Sequence, residues 1–332
     1  DQTKTILEDA TYTAASGDFT FADVDGESIT KIKITTLETV GVLKYNNIDV
    51  TLNQEITIAN IGLLTFDPVA NANGGTYDTF QFKVHDGTAY STNAGVITID
   101  VTAVNDAPTV ANAQSNQAVA EDATLNYAFN TNVFTDVEGT ACTYTSTQTD
   151  GSDLPSWLTF TAGSRNYGGT PLNANVGTLS VRTTCSDGSL SVNDDFDIVV
   201  SNTNDAPTTT GGSATPNEDA TYTFTTTASH WGYADVDSGD ALVTVDITTL
   251  PGTGALRYAS NDVTIGQDIA VGSLGGLTYV PVADASGAIT FTFKVYDGEA
   301  WSASAGTFTL TYQAVDDDPT ISIDDTTLPV SG

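Results

Sequence analysis

The stretch Thr79-Phe80-Gln81-Phe82-Lys83-Val84-His85-Asp86-Gly87 returns near the other end of the chain within Ile289-Thr290-Phe291-Thr292-Phe293-Lys294-Val295-Tyr296-Asp297-Gly298. Apolar side chains hold every second position in both, as a strand with one face on a core and the other in water requires. Ile97-Thr98-Ile99-Asp100-Val101 and Phe308-Thr309-Leu310-Thr311-Tyr312 keep the same period. No stretch repeats every 3.6 residues, and Thr, Val, Tyr, Gly and Asn are abundant. These features predict an all-β chain of short antiparallel strands in two-sheet sandwiches, with essentially no long helix.

Working outward, the segment Val104-Asn105-Asp106-Ala107-Pro108 recurs as Thr203-Asn204-Asp205-Ala206-Pro207 and, more acidic, as Val315-Asp316-Asp317-Asp318-Pro319. The central aspartates stand 99 and 112 residues apart, each interval suited to one compact domain. Three domains follow, 1–107, 108–208 and 209–319, and the remaining 320–332 read as the first strand of a further one. A Glu-Asp-Ala-Thr precedes each domain body (Glu8, Glu121, Glu218). An acidic pair comes next: Asp23 and Asp25, Asp136 and Glu138, Asp235 and Asp237. The late Asp-Gly at Asp86, Asp187 and Asp297 completes four acidic marks in one order.

Of 332 residues 42 are acidic and 9 basic, a net charge of -33, yet 39% are hydrophobic, enough for real cores. Such a surface repels phosphates and anionic headgroups, which argues against nucleic acid and membrane surfaces as partners and for divalent cations. No apolar run approaches the ~18 residues of a membrane span, and the opening residues lack a signal peptide's basic start and apolar centre. The absence of methionine points to a segment of a longer protein.

In a seven-stranded sandwich of alternating strand direction, loop positions follow by parity. The Glu8, Glu121 and Glu218 turns then lie at the bottom of their domains, and the acidic pairs and late Asp-Gly at the top. The first boundary should gather Glu8, Asn105 and Asp106 with Asp136, Glu138 and Asp187. The second should gather Glu121, Asn204 and Asp205 with Asp235, Asp237 and Asp297. Asp23, Asp25 and Asp86 would make a half-set at one end, and Glu218, Asp316 and Asp317 at the other. The turn before the sixth strand adds Asp67, Asn71 or Asn73, and Asn173 or Asn175. Close carboxylates repel by about a kcal/mol or more per pair, and the scattered basic residues do not recur with them. Carboxylates with carbonyl or amide oxygens in a flexible cage suit calcium, which takes 6 to 8 oxygens, better than magnesium.

At these residues the chain resembles the cadherin-like repeats of large bacterial surface adhesins of the repeats-in-toxin type, whose domains end in Asn-Asp-Ala-Pro. The resemblance implies tandem immunoglobulin-like or cadherin-like sandwiches in an elongated array, with calcium held between successive domains by the marks above. Leu154-Pro155-Ser156-Trp157-Leu158 and Gly169-Thr170-Pro171 make domain 2 similar to the dystroglycan-type, putative immunoglobulin-like subfamily. Domains 1 and 3 are closer to each other, Ile34-Thr35-Thr36-Leu37 matching Ile247-Thr248-Thr249-Leu250. Glu138 departs from the pattern's second aspartate, as do Asp316 and Asp318 from its Asn and Ala. Asp23 opens no EF-hand, because Ile34 stands at its twelfth position.

In such sandwiches Cys142, early in the third strand, and Cys185, ending the sixth, are neighbours. The expectation is a disulfide, which places the chain outside the cytosol; two buried thiols are the alternative. His85 and His230 lack a recurring nucleophile. Acid pairs could serve a glycosidase, but acids repeated in three domains answer better to a repeated structural task, so no enzyme is expected. Trp157 reads as core, whereas Trp231 and Trp301 could form a carbohydrate-stacking patch.

The expected function is a calcium-rigidified extender or adhesion segment of an extracellular, cell-surface bacterial protein. Its partners would be neighbouring repeats or identical subunits, and a cell-surface glycan or protein. The alternatives are a glycan- or protein-binding module and a filament subunit whose C-terminal tail is donated as a strand to the next molecule.

Overall fold

The computed structural model describes residues 1–318; the strand expected in 320–332 lies outside them. Its strands group around three hydrophobic cores. Domain 1 contains β1 (Gln2–Leu7), β2 (Tyr12–Thr13), β3 (Lys31–Thr36), β4 (Val42–Tyr45), β5 (Ile48–Asp49), β6 (Glu55–Thr57), β7 (Leu64–Asp67), β8 (Gly74–His85) and β9 (Gly95–Thr102). They form two sheets, β1-β9-β8-β3-β6 and β2-β7-β4-β5. Domain 2 follows with β10 (Thr109–Val110), β11 (Gln117–Ala120), β12 (Leu125–Ala128), β13 (Phe134–Thr135), β14 (Thr143–Gln148), β15 (Leu158–Thr161), β16 (Asn166–Gly169), β17 (Gly177–Ser186) and β18 (Ser191–Ser201). Here the sheets are β11-β18-β17-β14 and β12-β16-β15, with β10 paired to β13.

Domain 3 has β19 (Thr208–Thr209), β20 (Gly212–Ala214), β21 (Tyr222–Thr223), β22 (Tyr233–Ala234), β23 (Thr244–Ile247), β24 (Ala255–Tyr258), β25 (Asn261–Asp262), β26 (Gln267–Ala270), β27 (Leu277–Val280), β28 (Gly287–Tyr296) and β29 (Gly306–Tyr312). Its sheets, β20-β29-β28-β23-β26 and β21-β27-β24-β25, repeat those of domain 1, and β19 pairs with β22. The chain is therefore all-β, three tandem sandwiches, and its helices among the described residues are short 3₁₀ turns.

The period-two reading holds where it was made: Phe80 and Phe82 of β8, Ile97, Ile99 and Val101 of β9, and Phe291, Phe293 and Val295 of β28 are buried. Two features exceed it. First, antiparallel pairing is broken where β1, β11 and β20 each run parallel to the last strand of their domain. The same parity explains this, because first and seventh strands point the same way. Second, the first strand of the seven, which runs up to the Glu-Asp, is split in domains 2 and 3, and its front half, β10 or β19, crosses to the segment before the acidic pair.

Domain 2 has the smallest core cluster, ten mutually packed buried residues against seventeen in each neighbour among the described residues. It is stapled by a Cys142–Cys185 disulfide, Cα atoms 5.2 Å apart, with Cys142 one residue ahead of β14. A buried polar set adds to it, Gln114 Nε2 donating to Thr183 Oγ1 (2.8 Å), which also meets Tyr167 Oη (2.7 Å).

In domain 1 Asp18 anchors the first 3₁₀ turn. It accepts from Tyr12 Oη (2.6 Å) and Ala15 N (2.8 Å) and pairs with Lys4 Nζ at 2.5 Å. Burial pushes its carboxyl up, but the bonds from Lys4, Tyr12 and Ala15 hold it below the ordinary aspartate value.

Two measurements follow from these anchors. The disulfide closes a separation of 43 residues, worth about 4 kcal/mol by the chain-entropy account. Cys142→Ala with Cys185→Ala should make domain 2 unfold first in urea, by roughly that amount. Asp18's contribution is complete above its unfolded pKa and is lost as pH falls through its lower folded value. Asp18→Asn should cost domain 1 about 1 to 3 kcal/mol at pH 7 and flatten its stability profile below about pH 4, both read by chemical denaturation.

Candidate metal-binding joints

Each linker is clasped by the glutamate of the domain it leaves. The turn after β1 buries Glu8 (2% exposed), whose Oε1 accepts Val104 N at 2.7 Å. Glu121 does the same for Thr203 N (2.8 Å) and Glu218 for Val315 N (2.6 Å). Glu8 Oε2 also accepts from Asn73 Nδ2 (3.1 Å), and the bonds from Val104 and Asn73 hold its carboxyl below the usual range.

At the first joint one ligand atom each of Glu8, Asp106 and Glu138 lies within 4.8 Å of the others. Asn105 Nδ2 donates to Asp187 Oδ2 (3.0 Å), tying the linker to the turn between β17 and β18. Asp187 Oδ1 meanwhile accepts Ser189 N and Leu190 N at 2.6 and 2.7 Å. Asp136 Oδ1 takes Thr140 N (2.9 Å). The second oxygens of Asp106 and Asp136 are buried without a hydrogen-bond partner, and both residues line one recess with Asn71. Desolvation, then the charges of Asp136 and Asp106, raises the Glu138 carboxyl.

The second joint is more tightly bonded. Asp237, 5% exposed, accepts Asp205 N and Asn173 Nδ2, both at 2.6 Å, so loops from both domains meet on one carboxylate. Asn204 Nδ2 reaches Asp297 Oδ2 at 3.3 Å, and Asp297 joins Asp235 and Asp240 in a second group within 4.8 Å. Glu121 stands apart from that group, but its Oε2 is buried and unpartnered. Desolvation and the charges of Asp122, Asp237 and Asp235 raise the Asp205 carboxyl, and desolvation with Asp235, Asp237 and Asp297 does so for Asp240.

The outer ends carry partial sets. Asp23, Glu27 and Asp86 come together above domain 1, where Asp25 enters through its N–H to Asp23 Oδ1 (2.7 Å). Below domain 3 the group is Asp219, Asp284 and Asp317; Glu218 is the linker clasp, and among the described residues Asp316 joins no group. Asp284, desolvation and Asp219 raise the Asp317 carboxyl.

Sequence reading missed Glu27, Asp240, Asp122, Asp219 and Asp284. Glu27 follows its acidic pair by two residues, Asp240 by three, and Thr140 fills the place in domain 2, so no fixed spacing marks the position. Asp122 and Asp219 were visible as the second letter of the Glu-Asp landmark, both left-handed, with φ of 59° and 62°. Asp284 sits where domain 1 has Asn71, at the same φ of 60°. Two expectations are corrected. Asp67 is taken by Thr11 (2.6 Å) and Lys44 (2.9 Å) instead of the joint. Trp231 is fully buried among Phe224, Phe293 and Phe308, because its 3₁₀ turn points it inward, so no patch with Trp301 exists.

Residues 107–201 match the family model of the putative Ig domain and residues 203–313 that of the cadherin-like domain. No curated protein matches the chain. Among solved structures it is similar to mouse protocadherin-24 EC1-3 (11% identity, 94% of this chain and 96% of that one, TM-score 0.47). It is also similar to Drosophila N-cadherin EC1-4 (12%, 94% and 73%, 0.40). The endo-fucoidan hydrolase MfFcnA4 from glycoside hydrolase family 107 is matched at 19% identity over 94% of this chain, TM-score 0.28. The chain spans 43% of that hydrolase's length. The middle sandwich is thus similar to a putative Ig domain and the last to a cadherin-like domain.

The clasp has its own test. Glu121→Ala should speed hydrogen exchange at Thr203 N–H at least tenfold, whereas Glu121→Gln, which keeps an acceptor oxygen, should leave it within about threefold of the parent; equal rates in all three chains would show that the carboxylate does not hold the linker.

Proposed function

We propose that the chain is an extender segment of an extracellular adhesion protein, of the bacterial surface type, whose joints are stiffened by calcium. The observation that carries this reading is the set of buried, unpartnered carboxylate oxygens at the joints: Asp106 Oδ2, Asp136 Oδ2 and Glu121 Oε2. Buried polar atoms almost always have a partner, and among the described residues no ion pair brings a Lys or Arg to these acids. An all-oxygen donor set on flexible loops fits calcium.

The residues that would hold the ion are Glu8, Asp106, Asp136, Glu138 and Asp187 at the first joint. Glu121, Asp205, Asp235, Asp237, Asp240 and Asp297 would do so at the second. Bound calcium would supply positive charge where the chain has none. The chain's own residues do the rest. Each clasping glutamate orders its linker, and Asn105, Asn173 and Asn204 set the approach of the next domain's acids. At extracellular millimolar calcium, sites of 10⁻⁴ to 10⁻³ M affinity contribute about 0.4 to 1.4 kcal/mol each. Each such ion would offset part of the roughly 1 to 2 kcal/mol that ordering one linker residue costs.

Small-angle scattering tests the reading. Millimolar calcium should give one extended particle, and chelator a broader distance distribution that calcium, unlike equimolar magnesium, reverses; superimposable profiles in calcium and chelator would overturn it.

A further inference from the structure

The sheets β1-β9-β8-β3-β6 and β20-β29-β28-β23-β26 each turn one face to a core and the other to solvent. Ile32, Ile34, Ile56, Phe82 and Val84 are buried, so Lys33, Glu55 and Lys83, which alternate with them, stand on the outer face of domain 1. They make one row across three strands, because Lys33 pairs in register with Glu55 on one side and Lys83 on the other. In domain 3 the same row reads Asp268, Asp246 and Lys294.

Each row sets like charges directly opposite, Lys33 with Lys83 and Asp246 with Asp268, an arrangement that weakens a sheet. Neither pair is neutralised within its domain. Among the described residues Lys33, Lys83 and Lys294 belong to no ion pair, although the chain carries 42 acids and five other basic residues do pair. Lys33 Nζ lies instead over the Tyr90 ring, 4.0 Å from its centroid, and Lys83 Nζ donates to Thr92 O at 2.8 Å. Asp246 Oδ1 is buried without a hydrogen-bond partner. Desolvation, then the charge of Asp268, raises that carboxyl. Domain 2 matches its opposed charges internally: Arg182 faces Asp195 across β17 and β18 and donates to it at 2.7 and 2.8 Å.

The two rows complement each other when the sheets are laid face to face. Turning one sheet about an axis along its strands reverses the order of its row, so that Glu55 meets Lys294, Lys33 meets Asp246 and Lys83 meets Asp268. Turning it about an axis across the strands keeps the order, and sets Glu55 against Asp268 and Lys83 against Lys294. Only the first arrangement, with the strands of both sheets running the same way, matches all three positions.

We propose that the outer face of domain 1 docks against the outer face of domain 3 of a second copy of the chain, side by side and with their strands parallel. The surfaces are unlike, so a copy that docks through domain 1 still presents its own domain 3 face, and assembly can continue beyond the dimer. Repulsion between two chains of net charge -33 fades beyond about 8 Å at physiological ionic strength, whereas pairs in direct contact persist and fix orientation more than affinity. The docking needs no metal at the joints, so it goes beyond the extender reading and can fail or succeed separately.

Charge exchange in the full chain tests it. Sedimentation velocity at physiological salt should show association that grows with concentration, with or without chelator. Lys33→Asp or Asp246→Lys alone should weaken it about tenfold or more. Both substitutions in one chain exchange the signs of the central contact and should restore the parent affinity to within about threefold. Thermal unfolding alike in all four chains guards against misfolding. In a mixture of isotopically heavy and light parent chains, carbodiimide should link Lys83 to Asp268 and Lys294 to Glu55 between heavy and light copies. A parent chain that stays monomeric, a double variant no better than the single ones, or links confined within one copy would overturn the proposal. So would a monomer that uses these lysines to bind a sulfated glycan, which would make the face a ligand site instead.

Discussion

Like charge packed into the ends of neighbouring domains is the constraint to which the rest of this molecule answers. Three sandwiches each have an apolar core, but the charged side chains that gather at a joint are acidic. Hydrogen bonds relieve part of the repulsion. A glutamate carboxylate takes a linker amide in every domain, and three asparagine amides reach across to aspartates of the next one. The relief is incomplete, since desolvation and neighbouring charge still hold Glu138 and Asp205 above their ordinary values. These acids are the donors on which the proposed calcium joint rests.

Strand placement was legible because alternation of apolar and polar residues is a one-dimensional signal. Phe80 and Phe82, or Phe291 and Phe293, declare a buried face without any knowledge of the partner strand. The grouping of Glu8 with Asp106 and Glu138 was equally legible, because parity turns strand order into loop position. What escaped were features that depend on exact path. Glu27 and Asp240 enter through loops of different length, so their chemistry is shared while their spacing is not. The inward turn of Trp231 rests on the 3₁₀ segment that carries it, and no periodicity announces that. The split first strand escaped too, because two paired residues are too few to show alternation.

Domain 2 solves the same architectural problem with different means. Its smaller core carries the disulfide and a buried cluster of hydroxyls and amides around Tyr167 and Thr183. These contacts are directional where aliphatic packing is not, so this sandwich trades breadth of burial for specificity of connection. That difference accords with its matching a family model distinct from that of domain 3.

The parallel pairing of first and last strands bears on how force would pass through such a chain. In domain 1, β1 and β9 are joined in register from Gln2 opposite Ile97 to Leu7 opposite Thr102. Tension applied at the two termini pulls these neighbours lengthwise past each other, loading their hydrogen bonds together instead of peeling them one at a time. Domains 2 and 3 hold shorter runs, Gln117–Ala120 on Ile198–Ser201 and Gly212–Ala214 on Phe308–Leu310. Under a steady load the units would therefore yield in sequence, the shortest clamp giving way while the longest still bears weight.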